Sequence, residues 1–337
     1  MTTRVPVPSP IGILCGGPSA ERVISLRSGQ AVWQALRDLR YDAWLIDIPS
    51  ADCTVQLRAA GIRTAFIALH GPFGEDGTVQ TLLESLGISY TGSGIMASRL
   101  AMDKAAAKLR LHAAGVPVPK GYTVRGGQGT ASDGLEAVSS GQEARGAPRE
   151  RASASDGLGF PLVVKPVRQG SSLGLTIVEH EAEWPAALAE AGRYDTTVLC
   201  EEYLCGPELT VGVVDDAPLP VIQVVPQRRF YDYVAKYTPG MTQYLVPAPL
   251  AREVAARVQA LAIQAHRVLG CHRFSRVDLM LTPDRGPMVL EVNTVPGLTA
   301  TSLLPRAAVA AGISFAGLCE RLLASATQPR GDGHGSS

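Results

Sequence analysis

The chain of 337 residues has no surplus of charge of either sign, because 31 lysines and arginines balance 31 aspartates and glutamates. Proteins that bind nucleic acid usually carry a basic surplus, so we expect no nucleic-acid partner. No apolar run in the sequence approaches the roughly 18 residues of a membrane-spanning helix, and the first residues lack the pattern of a signal peptide. These absences predict no membrane partner and a cytoplasmic location.

Cysteine is also scarce in this sequence. The six cysteines are scattered along the chain, and no C-x-x-C pair is present. This pattern argues against a disulfide framework or a zinc site and favours the reduced thiols of a cytosolic enzyme. By contrast, hydrophobic residues form 46% of the chain and charged residues only 18%, which allows a sizeable core and excludes wholesale disorder. The length predicts two or three domains.

The first part of the chain alternates between strand and helix patterns. Strands are predicted at 11–15, 43–48 and 65–70, and apolar residues at helical spacing separate them. Such βαβ units form a largely parallel sheet. Ligands bind in these sheets just past the carboxyl ends of the strands. The loops that follow the first and third strands begin at Gly16 and His70, so we expect functional loops at both places.

The composition changes at 125–157, where Gly, Ser, Ala and Arg dominate. We predict a mobile surface insertion there and a disordered tail at 328–337. Before the insertion, residues 99–115 have a helical pattern, with Asp103 able to cap a helix that begins at Lys104. Further strands are predicted after it, and then an amphipathic helix: 159–166, 175–178, 198–204, 209–214, 221–226 and a helix through Val254 and Val268 that ends at Gly270.

Residues 274–297 carry the most informative pattern, two strands joined by a short turn. Side chains alternate between the faces of a strand, so Arg276 and Asp278 share one face, and Glu291 and Asn293 share one on the return strand. Their carboxylate and amide oxygens suit Mg²⁺ together with substrate phosphates. The alternative is the solvated side of an ordinary hairpin. Apolar residues predicted on the same polar face, which favour a site, are Phe274, Met280 and Val289. The opposite face is predicted to hold Val277, Leu279, Leu281, Leu290 and Val292.

A second candidate site lies around Lys165, which ends an apolar strand and precedes the small-residue loop Gly170–Gly174. Backbone amides of such a loop can approach phosphate oxygens, and a lysine supplies the compensating charge. No Walker A motif is present, and a hairpin turn with an exposed lysine or a Ser171–Lys165 nucleophilic pair are the alternatives. Glu201 and Glu208 flank a Gly-Pro turn and are candidates for contacts to an adenine amino group and ribose hydroxyls.

Taken together, these segments resemble the ATP-grasp superfamily, and specifically the D-alanine–D-alanine ligases. The resemblance implies an α/β (α+β overall) fold with an N-terminal Rossmann-like parallel-sheet domain at 1–95. A small central nucleotide-binding domain at 96–204 and a C-terminal mixed-sheet catalytic domain at 205–327 would follow. The resemblance covers almost the whole chain apart from 125–157 and the tail. The motifs that carry it occur in family order: GGPSAERVISLRSG, ALHGPFGEDGTVQ, YTGSGIMASRLAMDK, VVKPVRQGSSLG, EEYLCGPE, FYDYVAKY, TQYLVPA, SRVDLML and LEVNTVPGLTATSLLP.

The resemblance implies that ATP phosphorylates the carboxylate of one D-alanine and that the amine of a second D-alanine attacks the acyl phosphate. The product would be D-alanyl-D-alanine for peptidoglycan precursors. Two Mg²⁺ ions, with Mn²⁺ as an alternative, would neutralise the transferring phosphate. The implied metal ligands are Asp278, Glu291 and Asn293. The implied ATP-binding residues are Lys104, Lys165, Ser172, Glu201, Tyr203, Leu204, Glu208 and Lys236.

For the two amino acids, the resemblance implies a pairing of Glu21 with the first D-alanine ammonium, near His70. Arg276 and the amide of Gly297 would stabilise the oxyanion of the tetrahedral intermediate. In a mobile lid, Tyr237 would hydrogen-bond to Ser171 and through it to Glu21, which would exclude water from the acyl phosphate. The residues implied for the second carboxylate are Ser302 and Leu303. Without the resemblance, we would interpret Glu21 as an acid that stabilises a helix N-terminus and His70 as a structural histidine.

Several alternatives remain at this point. A related ligase could use D-Ser or form a specialised-metabolite dipeptide, although Tyr237 favours an amine over a lactate acceptor. A catalytically silent nucleotide-binding relative is a second alternative, and a dinucleotide oxidoreductase lacks the G-x-G-x-x-G that should follow the first strand. Val234 and Gln169 replace glutamates that are common in the family, for which we expect an effect on the lid rather than loss of activity. A homodimer is implied by the resemblance alone.

Overall fold

The computed structural model describes residues 5–125, 136–137, 157–228, 235, 238 and 240–330. Lys236 and Tyr237, which the family resemblance assigns to the site, lie outside the described residues, as does Val234. Most of the segment 125–157 lies outside them as well, so the predicted insertion stays a prediction.

The N-terminal sheet has four parallel strands in the order β2-β1-β3-β4, which confirms the predicted βαβ arrangement. Its strands are β1 (Ile11–Gly16), β2 (Ala43–Ile48), β3 (Thr64–Ile67) and β4 (Ser89–Tyr90), and its helices are α1 (Arg22–Asp38), α2 (Thr54–Ala60) and α3 (Thr78–Ser85). The prediction of a strand over 65–70 was wrong at its end. The ladder to β1 finishes at the pair Leu14–Ile67, so the chain leaves the sheet early and His70 sits in a loop.

Two helices lead from this sheet into the central one. The predicted helical stretch 99–115 is in fact α4 (Ile95–Met102) followed by α5 (Lys104–Ala113). The break occurs at Asp103, whose extended backbone ends one helix and whose carboxylate accepts the Ala106 N–H at 3.0 Å to cap the next. The cap itself was predicted, and it fixes the direction in which α5 leaves the break.

The central sheet is antiparallel, with five strands in the order β6-β5-β9-β7-β8. They are β5 (Gly121–Arg125), β6 (Glu136–Ala137), β7 (Leu162–Pro166), β8 (Thr176–Val178) and β9 (Thr197–Glu202), with helix α6 (Trp184–Gly192) packed against them. Leu162 and Val164 of β7 are fully buried on the side of α6. Lys165 and Glu201 alternate with such core residues, and the opposite face of the sheet is therefore available for polar chemistry.

The C-terminal sheet has the strand order β13-β12-β10-β14-β15, with β11 beside β10. Its described pairings are all antiparallel, and the described parallel pairs belong to the N-terminal sheet, so parallel and antiparallel pairing occur in separate sheets. The strands are β10 (Glu208–Val214), β11 (Ala217–Pro218), β12 (Ile222–Pro226), β13 (Thr242–Leu245), β14 (Phe274–Thr282) and β15 (Gly286–Asn293).

Helices cover this sheet and tie it to the N-terminal one. Helix α7 (Arg252–Val268) buries its predicted apolar face against β10, β14 and β15, and Gly270 follows its C-cap at a φ of 69°. Helices α8 (Leu303–Ala310) and α9 (Phe315–Ala324) share one core with β1 and α1. Among the described helices, none alone has the length and apolar composition to cross a membrane, and α8 with the segment through α9 meets that test only as a pair bent by 108°.

The start of the predicted tail is ordered, contrary to expectation. The guanidinium of Arg330 stacks on the ring of Tyr90 at 3.7 Å and donates to the Gly92 carbonyl at 3.1 Å. These contacts hold residues 328–330 against the N-terminal sheet, because a cation on an aromatic face is stabilised beyond its packing.

A β-bulge in the β14–β15 hairpin changes which side chains face the site. Asp278 pairs with Glu291, but Leu279 pairs with Val289, so Leu290 is the extra residue of the bulge. Strict alternation had put Val289 on the polar face and Leu290 on the apolar face, and both assignments were wrong. Val289 is fully buried in the core with Leu279, whereas Leu290 lines a cavity on the polar side together with Met280. The extra residue reverses the alternation beyond it.

Candidate active site

Two adjoining cavities lie where the three sheets meet, and together they are lined by all the predicted site residues that the structure describes. The larger, of about 460 Å³, is lined by Glu21, His70, Ser171, Arg276, Asn293, Gly297, Ser302 and Leu303. The smaller, of about 150 Å³, is lined by Lys165, Ser172, Glu201, Tyr203, Leu204, Glu208 and Asp278. Lys104 and Glu291 line both cavities, so the two meet at these side chains.

Asp278 accepts hydrogen bonds from three neighbouring side chains. Its carboxylate accepts from Arg276 at 2.9 and 2.7 Å in a bidentate arrangement, from Asn293 at 3.0 Å and from Thr210 at 2.6 Å. Glu291 lies opposite it across the hairpin and has Lys104 Nζ at 3.5 Å. Two carboxylates and a side-chain amide are thus gathered on adjacent strands. In the described part of the chain, no group of three or more His, Cys, Asp and Glu side chains is placed to hold a metal. A pair of carboxylates suits Mg²⁺, because this ion usually binds through one or two carboxylates together with substrate phosphates.

The loop after β7 has an uncommon backbone. Ser171 and Ser172 have φ values of 53° and 58°, in the left-handed region that costs non-glycine residues about 1–3 kcal/mol each. The Ser171 hydroxyl donates to the Glu21 carboxylate, and Lys104 Nζ donates to the Gln169 carbonyl at 2.7 Å. These contacts connect the loop to the N-terminal domain and to α5. Backbone held in this way at a cavity wall is typical of ligand-binding loops.

His70 is buried and belongs to a closed network around the loop that contains Gly297. Its Nδ1 lies 3.1 Å from the Val295 carbonyl and its Nε2 3.0 Å from Ser28 Oγ, which accepts the Leu298 N–H at 3.2 Å. A carbonyl only accepts, so Nδ1 carries the hydrogen, and the Ser28 hydroxyl then donates to Nε2. This holds for the neutral ring; burial opposes protonation, but the Glu75 and Glu21 carboxylates raise the pKa of His70. In either state the ring fixes the backbone on both sides of Gly297.

Sequence reasoning missed Ser28 and also Glu75, which lines the larger cavity. Glu75 accepts the Gly71 N–H at 2.9 Å and lies 3.8 Å from His70. Burial raises the pKa of the Glu75 carboxyl, an effect that His70 partly offsets. A signal for both was present. Ser28 lies seven residues after Glu21, on the same face of α1, and Glu75 belongs to the loop that His70 begins.

The end of the smaller cavity holds a buried group of three charges. Glu201 is 2% exposed, with Lys108 Nζ 2.6 Å from one oxygen and Lys165 Nζ 2.5 Å from the other. Burial acts to raise the pKa of Glu201, but the two ammonium groups lower it. Lys108 was not predicted, although it follows Lys104 by four residues and therefore shares its helix face. The carboxylate predicted to face an adenine is thus held by two lysines.

The far wall of the larger cavity is the start of α8. Ser302 precedes its first residue, Leu303, and the Ser302 hydroxyl accepts the Thr299 N–H at 3.0 Å. The first N–H groups of a helix have no partner within the helix and carry partial positive charge. A carboxylate is favoured at such a place, which agrees with the role that the resemblance implies for these two residues.

Known proteins resemble the chain along its length. The family profile described as D-ala D-ala ligase C-terminus matches residues 135–324, and the one described as D-ala D-ala ligase N-terminus matches 52–93. A D-alanine--D-alanine ligase from Syntrophotalea carbinolica is 48% identical over 94% of this chain and 96% of its own. One from Desulforudis audaxviator is 46% identical over 93% and 97%.

A solved structure agrees with this similarity. The D-alanine--D-alanine ligase from Bacillus anthracis complexed with ATP aligns with a TM-score of 0.76 and 32% identity, over 94% of this chain and 96% of the other. Profile, full-length sequence and fold therefore point to one group of proteins, as the nine motifs indicated. The chain belongs to the D-alanine–D-alanine ligase family, which has the ATP-grasp fold.

Proposed function

We propose that this protein ligates two D-alanines to D-alanyl-D-alanine with ATP, through an acyl phosphate, for peptidoglycan precursor synthesis. One observation carries the proposal. The cavity with the candidate nucleotide residues and the cavity with the candidate amino-acid residues meet at Lys104 and Glu291. A nucleotide in the smaller cavity would present its terminal phosphate at that junction, next to a carboxylate held in the larger one. Such proximity lowers the barrier to phosphoryl transfer.

The smaller cavity suits ATP in shape and chemistry. Apolar side chains from the central and C-terminal sheets provide its walls, namely Leu173, Leu175, Ile177, Leu204, Met280 and Leu290. Tyr203 and Leu204 would flank the adenine, and Glu208 would bind the ribose. Lys104, Lys165 and the Ser172 end of the loop would contact the phosphates. Lys236 is proposed to approach the γ-phosphate on the strength of the resemblance.

Asp278, Glu291 and Asn293 would hold two Mg²⁺ ions, or Mn²⁺, because the two carboxylates and the amide side chain are gathered on adjacent strands beside Lys104. Bound there, the ions would supply neutralisation of phosphate charge. Arg276 already offsets the charge of Asp278 through two hydrogen bonds. The acids can therefore lie close together in the absence of a metal.

The larger cavity would bind both amino acids. Glu21, which accepts the Ser171 hydroxyl, would pair with the ammonium of the first D-alanine. Ser302 and Leu303 at the start of α8 would receive the carboxylate of the second. Arg276 and the Gly297 amide would stabilise the oxyanion as the amine attacks. Tyr237 is proposed to close the site by hydrogen bonding to Ser171, which would protect the acyl phosphate from water.

The proposal is tested by phosphate release from the purified protein with ATP, Mg²⁺ and D-alanine. We expect release that depends on D-alanine and a dipeptide product. D-Serine and D-lactate offered as second substrates should be poor competitors of D-alanine for the acyl phosphate. ATP binding without D-alanine-dependent phosphate release would instead indicate a silent relative, and a preference for another acceptor would overturn the substrate assignment.

The proposal includes a cytoplasmic location and a homodimer. The six cysteines are free thiols, and burial raises the pKa of Cys15 to about 11 and of Cys271 to about 12. Buried thiols with such pKa values stay protonated and unreactive, as befits a reducing compartment. The homodimer rests on the family resemblance, and sedimentation velocity of the purified protein tests it.

Replacing Ser28 with alanine is expected to lower kcat about tenfold, because the His70 ring and the Leu298 N–H each lose a buried partner, worth about 1–3 kcal/mol. The Gly297 amide would then be less well positioned, whereas the KM for ATP should change little. Steady-state kinetics measure both constants. Ser85→Ala, on an exposed face of α3, is the control. A Ser28→Ala variant with normal kcat would show that the network does not position the loop.

A further inference from the structure

Lys108 is an uncommon residue for a protein interior. The residue is 1% exposed and lies in the middle of α5, with its ammonium beside a carboxylate. A lone buried ammonium is costly, so a lysine is retained in such a place only with a partner or a task. Its partner is Glu201 at 2.6 Å, yet Glu201 already has Lys165 at 2.5 Å. One carboxylate is therefore shared by two lysines.

The two lysines differ in what else they can reach. Lys165 lines the cavity assigned to ATP, whereas Lys108 does not line either cavity. Glu201 belongs to β9 and Lys165 to the neighbouring β7, while Lys108 approaches from the helix behind them. Of Lys108 and Lys165, only Lys165 is therefore placed to meet a phosphate that enters the cavity. To bind that phosphate, the Lys165 ammonium must weaken its ion pair with Glu201, whose carboxylate is almost inaccessible to water.

We propose that Lys108 is a positioning residue for ATP binding, whose ammonium neutralises Glu201 from behind and so frees Lys165 to bind the nucleotide phosphates. The inference rests on the proposed ATP site and deepens it. With Lys108 present, the three groups carry one net positive charge, and Glu201 keeps a partner when Lys165 turns to the phosphate. Without Lys108, the pair Glu201–Lys165 is neutral and buried, and phosphate must compete with the carboxylate for the Lys165 ammonium.

The charge state of Lys108 agrees with this role. Burial lowers the pKa of Lys108 to about 8, against the opposing effect of Glu201. The charged groups facing it are Glu201 from β9, Lys165 from β7 and, at longer range, Glu291 from β15. The group is therefore protonated at neutral pH and loses its proton as the pH rises through about 8. Affinity for phosphates should weaken over that interval in the parent protein.

The experiment measures the affinities of adenosine, ADP and ATP by calorimetry, with Mg²⁺ and without D-alanine, for the parent and Lys108→Met. We expect the Kd of ATP to rise about tenfold or more and the Kd of adenosine to change less than about twofold. A merely structural role would damage the adenine pocket and weaken all three ligands equally. Arg110→Met, on the exposed face of the same helix, is the control. Lys108→Gln, which keeps a donor but not the charge, should show the same phosphate-dependent loss and serves if the methionine variant unfolds.

A second comparison tests whether Lys108 acts through Glu201. In a Glu201→Gln background no carboxylate competes for Lys165, so the further change Lys108→Met should alter the Kd of ATP less than about twofold. An equal loss for adenosine and ATP, an unchanged Kd of ATP, or a full loss that persists in the Glu201→Gln background would each overturn the proposal. The measurement needs no turnover, so failure of the ligase assay and failure of this inference are distinguishable.

Discussion

Glu291→Gln is expected to reduce turnover by about 100-fold or more while leaving the fold intact. Glutamine has nearly the same volume, and the Glu291 side chain is 27% exposed, so packing hardly changes. The charge is what the site loses. Phosphoryl transfer depends on electrostatic stabilisation and positioning far more than on covalent help from the protein. Glu291 is also the acid at the junction of the two cavities, next to Lys104 at 3.5 Å.

The measurement is kcat at saturating ATP and D-alanine over a range of Mg²⁺ concentrations, together with the thermal midpoint of unfolding. The variant should need more Mg²⁺ and reach a much lower plateau. Glu253→Gln, an exposed acid in the first turn of α7, is the matched control and should behave like the parent. A Glu291→Gln variant with parental turnover and an unchanged Mg²⁺ dependence would show that Glu291 is not a metal ligand.

The hairpin that carries Glu291 shows which side-chain orientations can and cannot be predicted from the sequence. Strand periodicity is a local property, so alternation correctly predicted that Arg276 shares a face with Asp278, and Glu291 with Asn293, and these four residues line the two cavities. The bulge at Leu290 arises from the pairing of β14 with β15, and strict alternation contains no information on that pairing. Of the face assignments made from alternation in this hairpin, those of Leu290 and Val289 were therefore wrong, because the extra residue of the bulge reverses which face the following side chains take.

Two of the missed residues share a different cause. Lys108 and Ser28 are polar groups whose roles depend on partners that are distant in sequence, 93 residues away in the case of Lys108 and Glu201. A helical pattern can show that Lys108 lies on the face of Lys104, but only the tertiary structure, which brings α5 to β9, shows that Lys108 contacts Glu201. Motifs, in contrast, identified the residues that line the cavities, because their order along the chain is itself specific to the family.

Arg276→Lys is expected to lower kcat about 100-fold and to change the KM for ATP by less than about threefold. The guanidinium is fixed in its plane by two hydrogen bonds to Asp278, at 2.9 and 2.7 Å, and it lines the larger cavity with Gly297. Lysine keeps the positive charge but lacks the planar guanidinium, so it cannot form the two hydrogen bonds to Asp278 and also donate to an oxyanion. The negative charge that Arg276 would stabilise develops only as the amine attacks, so the loss should fall on kcat.

Arg285 provides the matched control for this change. It lies at the turn of the same hairpin and forms an ion pair with Glu202 at 2.8 Å, with 39% of its side chain exposed. Exposed pairs of this kind contribute about 0–1 kcal/mol, so Arg285→Lys should leave kcat within about twofold of the parent. If Arg276→Lys raised the KM for ATP and spared kcat, Arg276 would act in nucleotide binding through Asp278. The oxyanion would then have to be stabilised by the Gly297 amide and other groups of the larger cavity.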